Sequence, residues 1–367
     1  MHRPLPNSAA HSNETLPGRG EEILFAPMEG ITTFAMRRVH HRCFPGIDGY
    51  YTPFLSANQT LQFKRKERRD ILPENNEGIC LVPQILGNKA NETAWAIQAV
   101  ADYGYTEVNF NLGCPMATVA GRGKGAGFLF PPDRLDRFFD ELFECLEGTG
   151  RPEISVKTRI GVQDGAENRQ LIEIYNRYPI SQLIIHPRLQ KDLYRGHPDL
   201  DAFAVMLEKS RHPVIYNGDI LATEDLALIL DRFPQVKGVM IGRGLLRDPS
   251  LIRQIRGGEG ITPEELYAYE QELYREILGV LGSDSQTVSR MKEIWVYMKS
   301  LFSKGGRFSK DPEGAGAPRI PTDIRSEDKL LPDYYEENRS RAIRNLLKSR
   351  TKEQYQEALA RLFDTIR

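Results

Sequence analysis

The residues best able to do chemistry lie in one stretch, Asn109–Leu129, which reads NFNLGCPMATVAGRGKGAGFL. A short β-type run, Glu107–Asn111, ends there. The chain then turns at Gly113-Cys114-Pro115 and enters a loop with glycines at 121, 123, 125 and 127. A thiol just past a strand end, among asparagines and glycines, is placed to meet a ligand, because loops carried on a rigid scaffold are where function concentrates. No histidine adjoins Cys114 in the sequence to turn it into a thiolate, so its expected role is proton donor and not nucleophile. Cys43, Cys80 and Cys145 stand among apolar neighbours and are expected to be small buried packing groups. With no CxxC pair and no paired histidine spacing, neither a zinc site nor a disulfide framework is expected, and no metal is assigned.

Other chemically capable side chains follow the same placement. Pro27, Met28, Glu29 and Gly30 come after the first β-type run, and Gln84 lies in the third. Lys157 and Arg159 end the fifth and His186 and Arg188 the sixth. Asn217-Gly218-Asp219 ends the seventh, and Gly242-Arg243-Gly244 the eighth. Any one of these is also compatible with a turn or a surface charge; a succession of them asks for a common site. The last two segments read as a phosphate cradle, since glycine lets backbone N–H groups approach an anion and Arg243 adds charge. Lys157, if buried, needs an anionic or hydrogen-bonding partner.

The elements that must hold these residues are short strands alternating with helices. The runs are Ile23–Ala26, Gly49–Thr52, Leu81–Leu86, Glu107–Asn111, Ile154–Thr158, Gln182–His186, Pro213–Tyr216 and Gly238–Ile241. Amphipathic stretches such as Asn91–Tyr103, Asp133–Leu146, Asn168–Tyr178 and Thr223–Arg232 separate them, which implies parallel pairing through crossovers. Eight such units predict an α/β fold of the (β/α)₈ TIM-barrel type, with the strand-end residues on one face. A doubly wound sheet is the competitor, but no GxGxxG follows the first strand. The second unit is the weakest, because Ser56–Asp70 is charged and poorly periodic.

After Pro249 the pattern becomes helical without strands. Pro263–Leu281, Thr287–Phe302 and Arg339–Ile366 read as amphipathic helices, with a Gly/Pro-rich link at Gly305–Pro321. The expected division is a lead over 1–21, a catalytic barrel over 22–258 and a smaller all-helical domain over 259–367. Within the last helix RSRAIRNLLKSRTK carries six basic residues and no acidic ones. Arg341, Arg344, Lys348 and Lys352 recur there at helical spacing, either as a solvated face or as a phosphate-backbone contact surface.

A net charge of −1 gives no global pull towards nucleic acid, so any basic surface must be local. No run approaches the 18 or so apolar residues of a membrane span, and no membrane partner is expected. The first twenty residues lack an apolar core and are expected to be disordered rather than a signal peptide. The cysteine usage predicts a reducing, cytoplasmic setting, and a monomer is expected.

Taken together, APMEGIT (Ala26–Thr32), NLGCP (Asn111–Pro115), VKTRIG (Val156–Gly161), IIHPR (Ile184–Arg188), YNGDI (Tyr216–Ile220) and MIGRGLL (Met240–Leu246) resemble the tRNA-dihydrouridine synthases in order and spacing. The likeness covers roughly Ile23 to Ile255, and the tail is similar to that family's RNA-recognition domain through Arg290-Met291-Lys292, Trp295 and Tyr297. The resemblance implies a flavoprotein oxidoreductase that uses FMN, with NADPH as reductant, to reduce the 5,6 double bond of a flipped-out uridine in tRNA. Hydride would pass from the reduced flavin to C6, and Cys114 would protonate C5 to give 5,6-dihydrouridine. By motif position Pro27, Met28, Glu29, Gln84, Lys157, His186, Asn217, Gly218, Asp219, Gly242 and Arg243 would hold FMN. Asn111 and Arg188, with Arg341, Arg344 and Lys348 from the tail, would bind the RNA. An ordinary thiol is protonated at neutral pH, so Cys114 is chemically suited to the part.

Two departures bear on the substrate. Ala120 stands where many members of that family have asparagine, and Pro187 interrupts what is usually His-Gly-Arg. They leave open the same reaction on another RNA, such as ribosomal RNA. A dihydroorotate-dehydrogenase-like flavoenzyme acting on a free pyrimidine, and a non-catalytic RNA-binding barrel, are the competing readings.

Overall fold

A computed structural model describes residues 20–164, 166–303, 306–308 and 331–366. The lead and the Gly305–Pro321 link therefore lie, save for residues 20, 21 and 306–308, outside the described residues. The strands are β1 (Glu22–Phe25), β2 (Gly49–Tyr51), β3 (Leu55–Ser56), β4 (Leu81–Val82), β5 (Gln84–Leu86), β6 (Glu107–Leu112), β7 (Glu153–Gly161), β8 (Leu183–Leu189), β9 (Val214–Tyr216) and β10 (Gly238–Ile241). All pair in parallel. β2 lies on β4 and β3 on β5, so the two broken strands run side by side and close the ring that β1 and β10 complete at the other edge. Proline explains the breaks: Pro53 and Pro83 bring no N–H to the ladder. Pairing runs up to the prolines, Thr52 N donating to Val82 O at 3.2 Å, and resumes beyond them, Ala57 N donating to Leu86 O at 3.0 Å.

Successive side chains of a strand point to opposite faces, and this decides what fills the barrel. Leu24, Val82, Ile184, Ile215 and Met240 form a small apolar cluster with Ala26 and Tyr51. Two residues further along four of those strands come Gln84, His186, Asn217 and Gly242. The inner face thus turns from apolar to polar in one step, at the strands' C-terminal ends. The alternate residues, such as Ile23, Phe25, Ile185 and Val239, join the large core under the helices.

The helices round the barrel are α1 (Phe34–Cys43), α2 (Arg65–Ile71), α3 (Ala90–Ala101), α4 (Ala117–Ala120), α5 (Pro132–Cys145), α6 (Glu167–Tyr175), α7 (Leu200–Lys209), α8 (Thr223–Arg232), α9 (Arg243–Arg247) and α10 (Leu251–Ile255). The weak second unit has a helix after all, fixed by Glu67, whose carboxylate accepts from Lys64 N at 2.8 Å, and by buried Asp70, which accepts from Phe34 N at 2.6 Å. Two cysteine expectations fail. Cys80 and Cys145 are exposed, the first just before β4 and the second at the end of α5, where Leu146 takes the buried place; Cys43 is half-buried beside the Glu272 carboxylate.

Beyond the barrel lie α11 (Pro263–Leu281), α12 (Asp284–Met298), α13 (Leu331–Lys348) and α14 (Lys352–Asp364). α11 has the ends its sequence announces: Thr262 and Glu265 cap each other, Pro263 opens the first turn, and Gly282 closes it at φ +67°. It packs on α1, with the Tyr269 ring 5.4 Å from that of Phe44. The single helix expected over Arg339–Ile366 is two. Thr351 accepts from Gln354 N and starts a new helix, so Lys352 leaves the face of Arg341, Arg344 and Lys348 and instead lies 3.6 Å from Asp284. Within these helices Glu270 is fully buried and accepts from Tyr355 Oη, which in turn accepts from Trp295 Nε1 at 2.8 Å. No helix among the described residues is long and apolar enough to cross a membrane.

Candidate active site

The C-terminal ends of the strands surround a cavity of about 680 Å³. Small-molecule sites typically run to ~300–1,000 Å³, so there is room for a cofactor and a substrate ring together. Its floor is the polar step of the inner face. Lys157 on β7 donates from Nζ to Asn217 Oδ1 at 2.6 Å, and Asn217 Nδ2 donates to Met240 O at 2.7 Å, which fixes the amide with its oxygen towards the lysine. Burial, with Arg159 nearby, brings Lys157 down to about 7.

A second set of bonds crosses from β7 to the cysteine turn. Asn109 Nδ2 donates to Ser155 Oγ at 3.0 Å, Gln84 Nε2 to Asn109 Oδ1 at 2.7 Å, and Asn111 Nδ2 to Gln84 Oε1 at 2.6 Å. Asn111 Oδ1 then accepts from Gly113 N and Cys114 N, at 3.1 and 3.0 Å. Three strands thereby hold the backbone of the thiol. The glycine loop supports it from beyond: Ala126 N donates to Cys114 O at 2.9 Å, and at Gly125 (φ +55°) a Cβ would stand 2.7 Å from that carbonyl oxygen. Burial pushes the Cys114 thiol up, so it stays protonated at neutral pH.

Opposite lies a cationic wall. Asp219 accepts from Arg188 Nη1 at 3.0 Å and from Arg243. Burial works against the Asp219 carboxylate, but the two guanidiniums outweigh it and hold it below the usual range. Arg188 also meets His186 Nε2 at 3.1 Å. A guanidinium only donates, so Nε2 accepts and the His186 proton sits on Nδ1. Burial, and then the surrounding arginines and Lys157, keep that imidazole neutral. At Gly218 a Cβ would fall 2.0 Å from Tyr216 Oη, so only glycine lets the backbone lie there.

Of the expected residues, Pro27, Met28, Glu29, Gln84, Asn111 and Cys114 all line the cavity. So do Lys157, His186, Asn217, Gly218, Asp219, Gly242 and Arg243. Glu29 is exposed at the rim, 3.3 Å from Lys66 Nζ. Arg188 does not line the cavity: it is 1 % exposed and spends its donors on Asp219, His186 and the carbonyls of Arg195 and Gly196. The cause is local. Between His186 and Leu189, β8 carries one residue more than β7 does between Arg159 and Gly161, a bulge that accommodates Pro187 and tucks Arg188 in. Arg341, Arg344 and Lys348 are exposed on α13 and line none of this cavity.

The family model described as Dihydrouridine synthase (Dus) matches residues 24–312. The chain belongs to the dihydrouridine synthase family. Among its relatives, tRNA-dihydrouridine synthase B of Pasteurella multocida is 28% identical over 232 residues, 63% of this chain and 68% of that one. A probable tRNA-dihydrouridine synthase of Rhodobacter capsulatus is 28% identical over 270 residues, 71% of this chain and 81% of its own. One of Rickettsia bellii is 27% identical over 323 residues, 85% and 94% respectively.

A dihydrouridine synthase is a flavin-dependent oxidoreductase, and the residues present fit a flavin nucleotide. The glycine-only backbone at Gly218 and the Arg243 guanidinium suit a phosphate, and the amides of Gln84 and Asn217 with Lys157 suit the edge of a polar ring. Asp219 fits less directly. Its carboxylate beside a phosphate is tolerable because both oxygens face arginine, Oδ1 accepting from Arg188 and Arg243 and Oδ2 from Arg188, an arrangement that holds the Arg243 guanidinium in place. Motif reading missed Tyr194 and placed Tyr297 only in the tail, whereas both stand on the cavity wall. Tyr194 lies under the cations of Arg159 and Arg243, 5.4 and 5.1 Å from ring centre to each, and Tyr297 arrives from α12.

Proposed function

We propose that this dihydrouridine synthase reduces the 5,6 double bond of a uridine in tRNA, with FMN as its flavin and NADPH as reductant, in the cytoplasm. The observation that carries the reading is the Cys114 turn: a thiol kept protonated by burial, its backbone held by Asn111, facing the same cavity as Lys157 and Asn217. FMN, when bound, supplies the hydride that goes to C6 of the uracil. The protein's own task is to orient the ring, exclude water and deliver one proton to C5. Cys114 Sγ–H gives that proton, and the thiolate regains one from solvent before the next turnover. Asn111 uses one N–H and both lone pairs of its amide internally, which leaves one N–H for a uracil carbonyl. Lys157, near its midpoint at neutral pH, can meet an electron-rich ring either as a cation or as a neutral donor.

A target uridine must leave its stack to enter a cavity at the barrel mouth. The residues after 258 are assigned to holding the rest of the RNA. Arg341, Arg344 and Lys348 on α13 offer phosphate contacts, and Arg188 acts from behind the cavity by fixing His186 and Asp219. Nucleoside mass spectrometry on RNA from cells with and without the gene, position by position, tests the reading. Loss of dihydrouridine at a tRNA position supports it, and loss only in ribosomal RNA transfers the reaction to that substrate.

A further inference from the structure

A second cleft adjoins the catalytic cavity and has no part in the chemistry above. It lies between α1, α2 and the end of α11, and Glu29, Pro53 and Phe54 line both spaces. Its volume is about 180 Å³. An engineered apolar cavity of ~150 Å³ takes benzene, so the cleft has room for one ring and not for a cofactor. We propose that it is a second base pocket, seating the nucleotide next to the target uridine in the same RNA strand. The proposal rests on the RNA reading above and names where the neighbouring base goes.

The walls and the rim together select the occupant. Phe34, Phe54, Ile277, Val280 and Leu281 give apolar faces against which a ring can lie. Glu29, paired with Lys66, and the guanidiniums of Arg69 and Arg290 stand among them, Arg290 paired with Glu293; buried Asp70 and Glu67 complete the lining. Arg69 lies 5.6 Å from the centre of the Phe34 ring and donates to Val280 O at 3.3 Å, so it bridges α2 and the end of α11. Acceptors and donors side by side, without excess charge, suit a nucleobase, whose edge carries both C=O and N–H groups. A phosphate would meet the carboxylates unfavourably, and a plain hydrocarbon would leave the six charged residues of the lining, three of each sign, without a polar partner in the ligand. Position supplies the last step. Glu29, Pro53 and Phe54 line both the cleft and the cavity, so a strand unstacked to deliver its uridine to Cys114 carries the next base past Phe54. Arg290 also rests against Gly30, 2.9 Å from where a Cβ would stand, which ties this rim to the loop at the cavity mouth.

The test is a cycle between protein and RNA, using the full-length flavin-loaded enzyme. Affinity is measured for a tRNA transcript and for the same transcript with an abasic residue on either side of the target uridine. Val280→Trp fills the cleft and Arg69→Gln removes a rim donor. Val280→Trp is expected to weaken binding of intact RNA about tenfold, the loss of roughly one stacked base. One of the two abasic substitutions should weaken the wild type as much. Their combination should be no worse than either alone, with the single-turnover rate at saturating RNA unchanged. Losses that multiply, or a Val280→Trp enzyme that binds intact RNA like wild type, overturn the second pocket. Should Val280→Trp lose its flavin or its folded circular dichroism, the same cycle is read with Arg69→Gln. A wild-type enzyme that reduces no RNA uridine removes the parent reading, and this one with it; a wild type that does, with multiplying losses, removes the pocket alone.

Discussion

Lys157 in the barrel and Glu270 in the helices beyond it are each moved to about 7 by burial, in opposite directions from their ordinary values. What surrounds them differs. Glu270 is sealed: Tyr355 and Gln271 donate to its carboxylate, Trp295 steadies Tyr355, and the site has no opening. Among the described residues Lys157 has one hydrogen-bond partner, Asn217, and its remaining side is the cavity. A shifted acid or base therefore does not mark a site by itself. The opening beside it does. Glu270 organises a core, whereas Lys157 faces the cavity beside its one bond to Asn217.

The largest effect is expected at Cys114, the proposed proton donor. Cys114→Ala should still take up flavin and be reduced by NADPH, followed by bleaching of the flavin absorbance. Its dihydrouridine yield should fall about 10²–10⁴-fold, the usual span for losing a positioned proton donor. Near-normal product from the alanine enzyme would break the assignment and point to solvent as the acid.

Next in size is the contrast itself. Lys157→Ala should weaken flavin retention by about 10–100-fold, as expected for loss of one charge-assisted hydrogen bond, read by dialysis and fluorescence of released flavin. Glu270→Gln should retain flavin fully and change the pH profile of stability instead. The Glu270 carboxyl is raised in the folded state from 4.5 to about 7. Its contribution is therefore fully present below 4.5 and is lost as pH rises towards and through 7. The loss is at most ~3 kcal/mol, and Glu270→Gln should flatten it. Lys157 runs the other way. Its folded value is depressed from 10.5 to about 7, so the unfolded chain holds more protons between these values, and flavin-free protein should gain stability as pH rises across that window. Denaturant midpoints from pH 4.5 to 10 for the two variants would separate the groups. A wild-type slope surviving in Glu270→Gln would place the titration elsewhere.

This comparison also sorts what a reader of the sequence can and cannot find. The barrel and most of the cavity lining were legible because successive strands bring their chemistry to one level of the barrel: Asn111 and Asn217 sit at the ends of β6 and β9, Lys157 and His186 midway along β7 and β8, and Gln84 opens β5 just past Pro83. The place of Tyr297 on the cavity was not, since α12 brings it there across more than 50 residues from β10, and the tail motif that contains it encodes no such approach. Arg188 misled because a strand-end arginine looks available. The bulge at Pro187 that hides it depends on pairing with β7, and the proline was its only trace. The break between α13 and α14 did leave a signal, Thr351 three residues before Gln354, but the run of basic residues across it reads as one helix.

That break supplies the smallest effect and the finest test of the RNA surface. Arg341, Arg344 and Lys348 share α13 and are exposed, whereas Lys352 begins α14 and is paired with Asp284. Each phosphate contact releases counterions, so log affinity should fall with log salt by about 0.9 per contact on a duplex. Removing the charges of Arg341 and Arg344 together should flatten the slope by about two, with flavin reduction unchanged. Removing Lys352 should alter it by well under one, because that ammonium already has a carboxylate and leaves it exposed when lost. Equal slopes for the two variants would mean that the basic run acts as diffuse charge and not through an ordered face. A double variant with wild-type salt dependence would make α13 a solvated helix and move the phosphate contacts to the barrel, where Lys64, Arg65 and Arg68 stand exposed around α2.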